Sequence, residues 1–321
     1  MPAPSAHVQR LQRAIDAGAV RLAFVGQATY FDLCALEAPA GILEPRFFDF
    51  RYGEPFDEAA AGLAAFDPHV IVMFRPELAP ATALADVDAV TVGFLTEPLP
   101  RERGDAHPDL ERRLEYLQMI DPANWDRIIS FDPLVAETVD ELVPVWRSMP
   151  LPVSDRCYAE PTRRTEGRPQ VLFPGRSTDH REDFLVDAKH HYDILHIAHG
   201  LTGDRLIEAL TQSDVGINVH NEPYPSFENR VSTFCAAGLL VISEELSPTH
   251  GLEPGLDFIQ VEDKHDLLMV LFSVHRELGA FDRMRARARQ KAERFRASSV
   301  YERLVGDLAR DLPVFGTPRR A

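Results

Sequence analysis

Short apolar runs alternate with longer amphipathic stretches along the first half of the chain. Five runs are rich in β-branched or aromatic residues and are predicted strands: residues 21–25, 46–50, 69–74, 90–95 and 127–131. Two of them, HVIVMF and VTVGFL, are almost continuously apolar, which is typical of strands buried on both faces of a parallel sheet. The pattern predicts a doubly wound α/β domain over residues 1–150 that ends around Val145.

The second half repeats this alternation. Strands are expected at 170–173, 192–198, 215–219, 239–242 and 257–261. Residues 151–168 are rich in prolines and charges and indicate a linker, so a second α/β domain is expected over 169–298. The segment 299–321 is predicted to be a C-terminal helix with tail that packs on the first domain. Its apolar stripe consists of Val300, Tyr301, Leu304, Val305 and Leu308.

The segment 213–244 holds a strand, a polar loop, a helix and a second strand in immediate succession. Ser226 is the predicted N-cap of a helix over 227–237, and Gly238 stands where a helix often ends in the left-handed conformation. In a parallel sheet, the loop at 220–225 lies at the carboxyl end of its strand, where ligands bind. The helix N-terminus there offers backbone N–H groups and a positive dipole to an anion.

The residues of this segment also resemble a known family. Asn218, Ser226 and Arg230, followed by the run AAG at 236–238, resemble the donor-binding segment of GT-B glycosyltransferases, in particular the group described as CgeB-like or family-4-like. The resemblance implies a hexosyltransferase-like enzyme with two Rossmann-like domains, a cleft between them and a C-terminal helix that crosses back. In that family the helix N-terminus holds the diphosphate of a nucleotide sugar. One position departs: Thr233 stands where the family usually has a Glu that pairs with the ribose.

A second set of candidate donor contacts follows the strand at 170–173. Gly175 lets the chain turn close to a ligand, and the guanidinium groups of Arg176 and Arg181 can satisfy phosphate oxygens with paired donors. The alternative for this pair is a surface turn, and for Arg230 an ion pair with a Glu. Pattern and resemblance together predict contacts to the nucleotide sugar from Gly175, Arg176, Arg181, His199, Gly200, His220, Asn221, Tyr224, Ser226, Phe227, Asn229, Arg230 and Thr233.

An acceptor base, if the reaction uses one, is expected from the first domain. Glu97 directly follows the strand at 90–95, and Asp32 and His107 also lie in segments after strands or in loops. A carboxylate or imidazole at such a place can take a proton from an acceptor hydroxyl. Glu97 is favoured on geometry, and the alternative for all three is an ordinary polar loop residue. Loss of the diphosphate itself needs Arg and helix N–H groups that stabilise the developing negative charge.

Two patterns that suggest a metal site do not fit one. Histidines crowd between 190 and 199, but His196 and His199 differ in parity along a strand, so their side chains point to opposite faces. The string DVD at 86–88 precedes its strand, at the wrong end of a parallel sheet for a ligand site. We therefore predict no metal and no cofactor, with a nucleoside-diphosphate sugar as donor substrate.

Composition narrows the class of partner. The 321-residue chain carries a net charge of −16, which argues against nucleic-acid binding. The basic run at 283–296 is either a solvated helix face or a place of loose contact with anionic lipid, so any membrane contact is expected to be peripheral. Three separated cysteines, no signal peptide and no apolar stretch of membrane length predict a cytoplasmic protein.

Three functions fit these observations. The first is a metal-independent glycosyltransferase that moves a sugar to an unidentified acceptor, whether glycan, protein or small molecule. The second is a non-catalytic protein of the same fold that serves as a binding or scaffold partner of an active transferase, for which Thr233 is the main support. The third is a sugar-nucleotide epimerase. Hydrolysis of nucleotide sugars that is lost in Arg230→Ala would separate the first from the second.

Overall fold

The computed structural model describes residues 5–97, 110–133, 142–160, 164 and 167–317. The chain divides into two compact units: Met1–Pro152 together with Ala297–Ala321 form the first, and Val153–Arg296 form the second. Part of the stretch expected to be a linker belongs to the second unit. It holds a 3₁₀ turn at Asp155–Tyr158, and the backbone N–H of Val153 donates to the Phe295 carbonyl at 2.7 Å.

Every strand that the apolar runs predict is present within a few residues of its expected place. In chain order the strands are β1 (Val20–Gly26), β2 (Leu43–Asp49), β3 (Val70–Phe74), β4 (Val90–Leu95), β5 (Arg127–Ser130), β6 (Val145–Ser148), β7 (Val171–Pro174), β8 (Ile194–Ile197), β9 (Val215–Asn218), β10 (Leu240–Ser243) and β11 (Ile259–Gln260). The helices of the described residues are α1 (Ala6–Asp16), α2 (Ala28–Phe31), α3 (Asp57–Phe66), α4 (Leu110–Gln118), α5 (Asp179–His191), α6 (Gly203–Gln212), α7 (Asn229–Ala237), α8 (Lys264–Arg276), α9 (Asp282–Ala292) and α10 (Ala297–Phe315).

The sheet of the first unit has the strand order β2-β1-β3-β4-β5-β6, and all its neighbouring strands run parallel. One strand of this sheet, β6, was not predicted from the sequence: it begins at Val145 and pairs with β5. The strand has the sequence VWRS, and all four of its residues are half-buried. An edge strand of this kind lacks the continuous apolar run that identifies a buried one.

Helix α10 packs within the first unit. Tyr301 is fully buried, its ring lies 4.7 Å from the ring of Phe24 in β1, and its hydroxyl donates to the Cys34 carbonyl at 2.5 Å. Leu304 and Leu308, from the predicted apolar stripe, are also buried in the same core. Burial of each such side chain contributes roughly 1.5–3 kcal/mol, so the stripe is sufficient to hold this helix against the sheet.

The sheet of the second unit has the order β11-β10-β9-β7-β8, again with all neighbours parallel. A glycine in its central strand allows α7 to pack close. A Cβ at Gly216 would lie 2.4 Å from the ring of Phe234 in α7, closer than real atoms approach. This glycine therefore fixes how near the helix lies to β9, and with it the position of the helix N-terminus.

Most basic side chains of the run at 283–296 bond to partners in the second unit, although Arg283 and Arg294 are exposed. Arg285 is buried and donates to the Leu278 carbonyl at 3.1 Å. Arg287 and Lys291 both pair with the buried carboxylate of Asp257. Three more side chains of the run bond to protein partners in the second unit: Arg289, Arg294 and Arg296. No helix of the described ranges is long and apolar enough to cross a membrane.

Candidate functional site

The segment singled out in the sequence lies at the carboxyl ends of the central strands of the second sheet. β9 stands between β7 and β10, and it leads through residues 219–228 into α7. β7 leads through Gly175 into α5, so both connections leave the same edge of the sheet. Because ligands of parallel sheets bind at this edge, the donor-binding candidates after β7 and β9 converge where a ligand is expected.

Helix α7 begins two residues later than predicted, and Ser226 is not its N-cap. Glu228 holds that position with an extended backbone (φ −80°, ψ 141°), and Asn229 is the first helical residue. The Ser226 hydroxyl lies 3.1 Å from His220 Nδ1, and His220 Nε2 donates to the Glu245 carbonyl at 2.7 Å. With Nε2 donating, Nδ1 of the neutral ring accepts a hydrogen bond from the Ser226 hydroxyl. Ser226 therefore fixes the loop and His220 instead of capping the helix.

The side chain of Phe227 lies in the core, so the donor contact predicted for this residue is left to its backbone N–H. Phe227 is only 4% exposed, and its ring packs at 4.6 Å on the ring of His250 and at 6.2 Å on that of Phe295. This anchor holds the chain extended up to Glu228 and explains the late start of the helix. The predicted helix end is confirmed, because Gly238 has the left-handed conformation with φ 75°.

Arg181 and Arg230 lie together over the ring of Phe173. Their guanidinium carbons are 5.5 and 5.4 Å from the ring centroid. Arg181 Nε donates to the carbonyls of Val219 at 3.0 Å and His220 at 3.1 Å. Arg230 Nη1 donates to the same Val219 carbonyl at 3.2 Å. Both cations are thus fastened to the backbone where the loop begins.

The two arginines concentrate positive charge at a largely buried place. Arg181 is only 3% exposed, and burial, followed by the charge of Arg230, lowers the pKa of Arg181 to about 10. The balancing charge is Glu228, whose Oε2 lies 3.3 Å from Arg230 Nη2 and whose Oε1 lies 3.9 Å from Arg181 Nη2. An anion that replaced this carboxylate would meet two guanidinium groups and the N–H groups at the start of α7.

Arg176 is exposed, whereas Arg181 is buried. The alternative that both arginines lie on a surface turn therefore fits Arg176 alone. Arg176 Nε donates to Asn221 Oδ1 at 3.1 Å, and Arg181 Nη1 donates to the Arg176 carbonyl at 3.1 Å. The Thr178 hydroxyl donates to the Asn221 carbonyl at 2.9 Å. A Cβ at Gly175 would lie 3.3 Å from Arg181 Nη1, so glycine keeps this approach open. The turn after β7 and the loop after β9 are tied into one surface.

Two polar residues of the family pattern are directed into the protein. Asn218 is fully buried and its Nδ2 donates to Ser243 Oγ at 2.9 Å, while its Oδ1 has no hydrogen-bond partner within the described ranges. Thr233 is 9% exposed, and its hydroxyl donates to the Asn229 carbonyl at 3.1 Å, one helical turn earlier. The Thr233 hydroxyl, at the position of the family's Glu, is therefore engaged within its own helix.

The remaining predicted donor contacts lie around the same edge. His199 and Gly200 follow β8 and are exposed, and Tyr224 in the loop is half-buried. Sequence reasoning missed His196, whose Nε2 donates to the Gly175 carbonyl at 2.8 Å and whose ring lies 4.9 Å from that of Phe173. Among the residues that the structure describes, no group of three or more His, Cys, Asp or Glu side chains is placed to hold a metal ion.

The acceptor-side candidates fall at the carboxyl ends of strands in the first unit. Asp32 follows β1, and Glu97 follows β4, where its Oε2 lies 3.9 Å from Arg113 Nη2 and its side chain is 48% exposed. His107 lies outside the described residues. Asp32 accepts the Leu33 backbone N–H at 2.7 Å. Both described carboxylates thus follow strands at the carboxyl edge of the sheet, where parallel sheets generally bind ligands, and β3 separates the two strands.

A carboxylate that the sequence did not single out follows β3, between these two. Glu77 is buried and accepts from Arg75 Nε at 2.8 Å, and burial raises the pKa of the Glu77 carboxyl in spite of that arginine. Arg75 itself has a left-handed backbone (φ 62°, ψ 66°) directly before Pro76, a conformation that costs a non-glycine residue free energy. Nothing in the letters RPEL predicts this strain, because it depends on the surrounding packing.

Comparison with known proteins identifies the fold. No protein-family model matches the chain, and no curated protein does. The solved structures that match it include HepE from Anabaena in complex with UDP and glucose (TM-score 0.58, 10% identity, covering 90% of this chain and 99% of HepE), sucrose-phosphate synthase from Thermosynechococcus elongatus (0.56, 12%, 91% and 99%) and a glycosyltransferase from Rickettsia africae (0.55, 11%, 91% and 99%). The chain spans only 54% of another match, TarM. The two parallel-sheet α/β domains of this chain have the fold of GT-B glycosyltransferases.

Proposed function

We propose that the chain is a metal-independent glycosyltransferase that takes a sugar from a nucleoside-diphosphate sugar, and that it belongs to the CgeB-like group. The observation that carries this proposal is the pair of guanidinium groups, Arg181 and Arg230, beside the N-terminus of α7 at the carboxyl edge of the second sheet. The fold supports it, since HepE, one of the matching structures, was solved with UDP and glucose.

In the proposed reaction, the diphosphate gains negative charge as its bond to the sugar breaks. Arg230 and the N–H groups of the first turn of α7 face that charge, and Arg176 supplies a third, exposed guanidinium. Arg181 is largely occupied by backbone carbonyls, so it acts mainly through its charge and by holding the loop. Groups fixed before the reaction stabilise the leaving phosphate without a cost of reorganisation.

Glu228 competes with the diphosphate for the two arginines. In the structure its carboxylate neutralises Arg230 and approaches Arg181, so a diphosphate has to displace it. The side chain is 27% exposed, which leaves it a path toward water. We infer that donor binding moves Glu228 away from the arginines and exchanges one anion for a more highly charged one.

On the acceptor side, we propose that the hydroxyl of the acceptor binds at the carboxyl edge of the first sheet. Glu97 and Asp32 remain the candidates for its base, and the structure adds Glu77, whose carboxyl has a raised pKa. A carboxylate with a pKa nearer to neutrality is the better proton acceptor at the pH of the cell. The exposed Glu97 is the most accessible of the three.

A second candidate function, a non-catalytic partner of an active transferase, is favoured by Thr233. Its hydroxyl bonds to the Asn229 carbonyl, so the place of the ribose-binding Glu offers no side chain directed to a nucleotide. Loss of that one contact lowers affinity for the nucleoside without removing the phosphate contacts. No observation specifically favours the epimerase.

The test is a thermal-shift screen with UDP, GDP, ADP and their sugars, followed by an assay for release of the nucleoside diphosphate. A ligand selective for the folded state raises the melting temperature, and an active transferase also hydrolyses the donor slowly without an acceptor. Arg230→Ala should abolish both signals, whereas Arg283→Ala, which removes an exposed arginine on α9, should keep them. A shift without turnover would favour the non-catalytic partner, and no shift with any nucleotide would refute the proposal.

A further inference from the structure

A second carboxylate, besides Glu228, lies near the arginines of the candidate donor site. Glu244 directly follows β10, and its side chain is 14% exposed. Its backbone N–H donates to the Asn218 carbonyl at 3.1 Å, so the pairing of β9 with β10 continues up to this residue. Burial is the main cause of the lowered pKa of Arg181, and both Glu228 and Glu244 oppose that shift, so both carboxylates act on this guanidinium.

Both oxygens of the Glu244 carboxylate have partners in the second unit. Oε2 accepts the backbone N–H of His220 at 2.6 Å, and Oε1 lies 2.9 Å from Nε2 of His180, near the start of α5. Since a carboxylate only accepts hydrogen bonds, His180 Nε2 is the donor of the second contact. The imidazole of His180 therefore fixes the orientation in which Glu244 presents Oε2 to the loop after β9.

The N–H that Glu244 accepts belongs to the same peptide group as the carbonyl that both arginines contact. Arg181 Nε and Arg230 Nη1 donate to the Val219 carbonyl at 3.0 and 3.2 Å. The carbon of that carbonyl is bonded to the nitrogen of His220. The peptide group is trans, so its oxygen and its N–H point to opposite sides. Two guanidinium groups thus hold one side of the group, and one carboxylate holds the other.

Charged partners on the two sides of a peptide group strengthen each other. A carboxylate that accepts the N–H polarises the group and makes its carbonyl a better acceptor for a cation. Such bonds are stronger where water is excluded, and both Arg181 and Glu244 are largely buried. Removal of the carboxylate would leave the N–H without this acceptor, weaken the carbonyl as an acceptor and let the peptide group and the guanidinium groups shift.

We propose that Glu244, oriented by His180, is a positioning residue of the donor site, which acts through this one peptide group to hold both guanidinium groups where a diphosphate binds. The role depends on the proposed transferase function, and it differs from that of Glu228. The diphosphate displaces Glu228 when it binds. Glu244 stays in place, because its two oxygens are bonded to the backbone and to His180.

The first test is calorimetric titration of UDP, GDP and ADP into the wild type and two variants of the full chain. Glu244→Gln keeps an acceptor for the His220 N–H and removes one negative charge, so affinity should equal that of the wild type or rise by up to about threefold. Glu244→Ala removes the same charge together with the acceptor, and affinity should fall about fivefold to twentyfold. Charge repulsion alone would instead make both variants bind more tightly.

The second test is hydrogen exchange of the His220 amide, measured by NMR without nucleotide. The amide should exchange about tenfold faster in Glu244→Ala than in the wild type, and at the wild-type rate in Glu244→Gln. The milder variant His180→Phe keeps a ring beside that of Phe184 and removes only the donor to Oε1, so it should raise the rate about threefold. This variant keeps the test available if Glu244→Ala does not fold.

The matched control is Glu245→Ala, which removes the charge of an exposed neighbouring side chain and should behave as the wild type in both tests. Wild-type or tighter binding in Glu244→Ala would overturn the role of Glu244 and leave the transferase proposal intact, and so would an unchanged exchange rate in Glu244→Ala or His180→Phe. If the wild type bound none of the three nucleotides, the transferase proposal would fail, and this role with it. The exchange measurement needs no nucleotide, so the two failures can be told apart.

Discussion

Replacement of Glu228 by Gln should increase affinity for a nucleoside diphosphate. This carboxylate lies 3.3 Å from Arg230 Nη2 and 3.9 Å from Arg181 Nη2. It occupies the place where we expect the phosphate oxygens, so it both competes for the guanidinium groups and repels the incoming anion. Gln keeps the size of the side chain and removes its charge.

The size of the effect follows from the distance and the exposure. Two unit charges at this separation interact by about 5 kcal/mol at an effective dielectric constant of 20. Glu228 is 27% exposed, so solvent screening and the cost of desolvation reduce the net interaction to about 1 kcal/mol. That free energy corresponds to a dissociation constant lowered about fivefold.

The assay is calorimetric titration of UDP, or of whichever nucleoside diphosphate stabilises the protein, into the wild type and Glu228→Gln. The matched control is Glu245→Gln, which removes the same charge from an exposed neighbouring residue and should change affinity by less than about twofold. Affinity that is unchanged or reduced in Glu228→Gln would refute the reasoning, because Glu228 would then not compete with the ligand.

Three further predictions concern stability. Arg181→Lys cannot replace the bonds from Arg181 to the Val219 and His220 carbonyls, so urea denaturation should show a loss of about 2–4 kcal/mol; wild-type stability would contradict this. Gly216→Ala should lower the free energy of unfolding by about 1–3 kcal/mol, because the added methyl group overlaps the ring of Phe234 in α7. A second substitution, of Phe234 by a smaller apolar residue, should restore part of that stability. His69 Nδ1 accepts the Arg21 N–H at 2.9 Å, and burial, then Arg21, lower the pKa of His69 to about 4. In the unfolded chain the pKa of the His69 imidazole is about 6.5, so its contribution to the free energy of unfolding is complete above that pH and is lost as the pH falls toward 4. The melting temperature of His69→Asn should therefore fall less than that of the wild type between about pH 7 and pH 4.5. An equal fall would be contrary evidence.

Most strands of both sheets were predictable because buried parallel strands leave nearly continuous apolar runs in the sequence. The exception, β6, shows the limit of that signal: as a half-buried edge strand it reads VWRS, and only its pairing with β5 identifies it. The end of α7 was also predictable, since Gly238 favours the left-handed backbone at a helix end.

The start of α7 was not predictable from local preferences. Ser226 is a good N-cap residue, but tertiary contacts decide otherwise: its hydroxyl bonds to His220, and Phe227 is anchored on His250. The charge balance of the site was predictable only in part. An ion pair of Arg230 with a Glu was the alternative that the sequence offered, but the sequence identifies neither Glu228 as that partner nor Arg181 as the second cation beside it.

The most direct test of the central claim is a crystal structure of the protein with the nucleoside diphosphate that stabilises it most. The account predicts phosphate oxygens within about 3.2 Å of the N–H groups at the start of α7 and of the Arg230 guanidinium, with the Glu228 carboxylate turned away. A diphosphate bound elsewhere, with Glu228 still on Arg230, would contradict it.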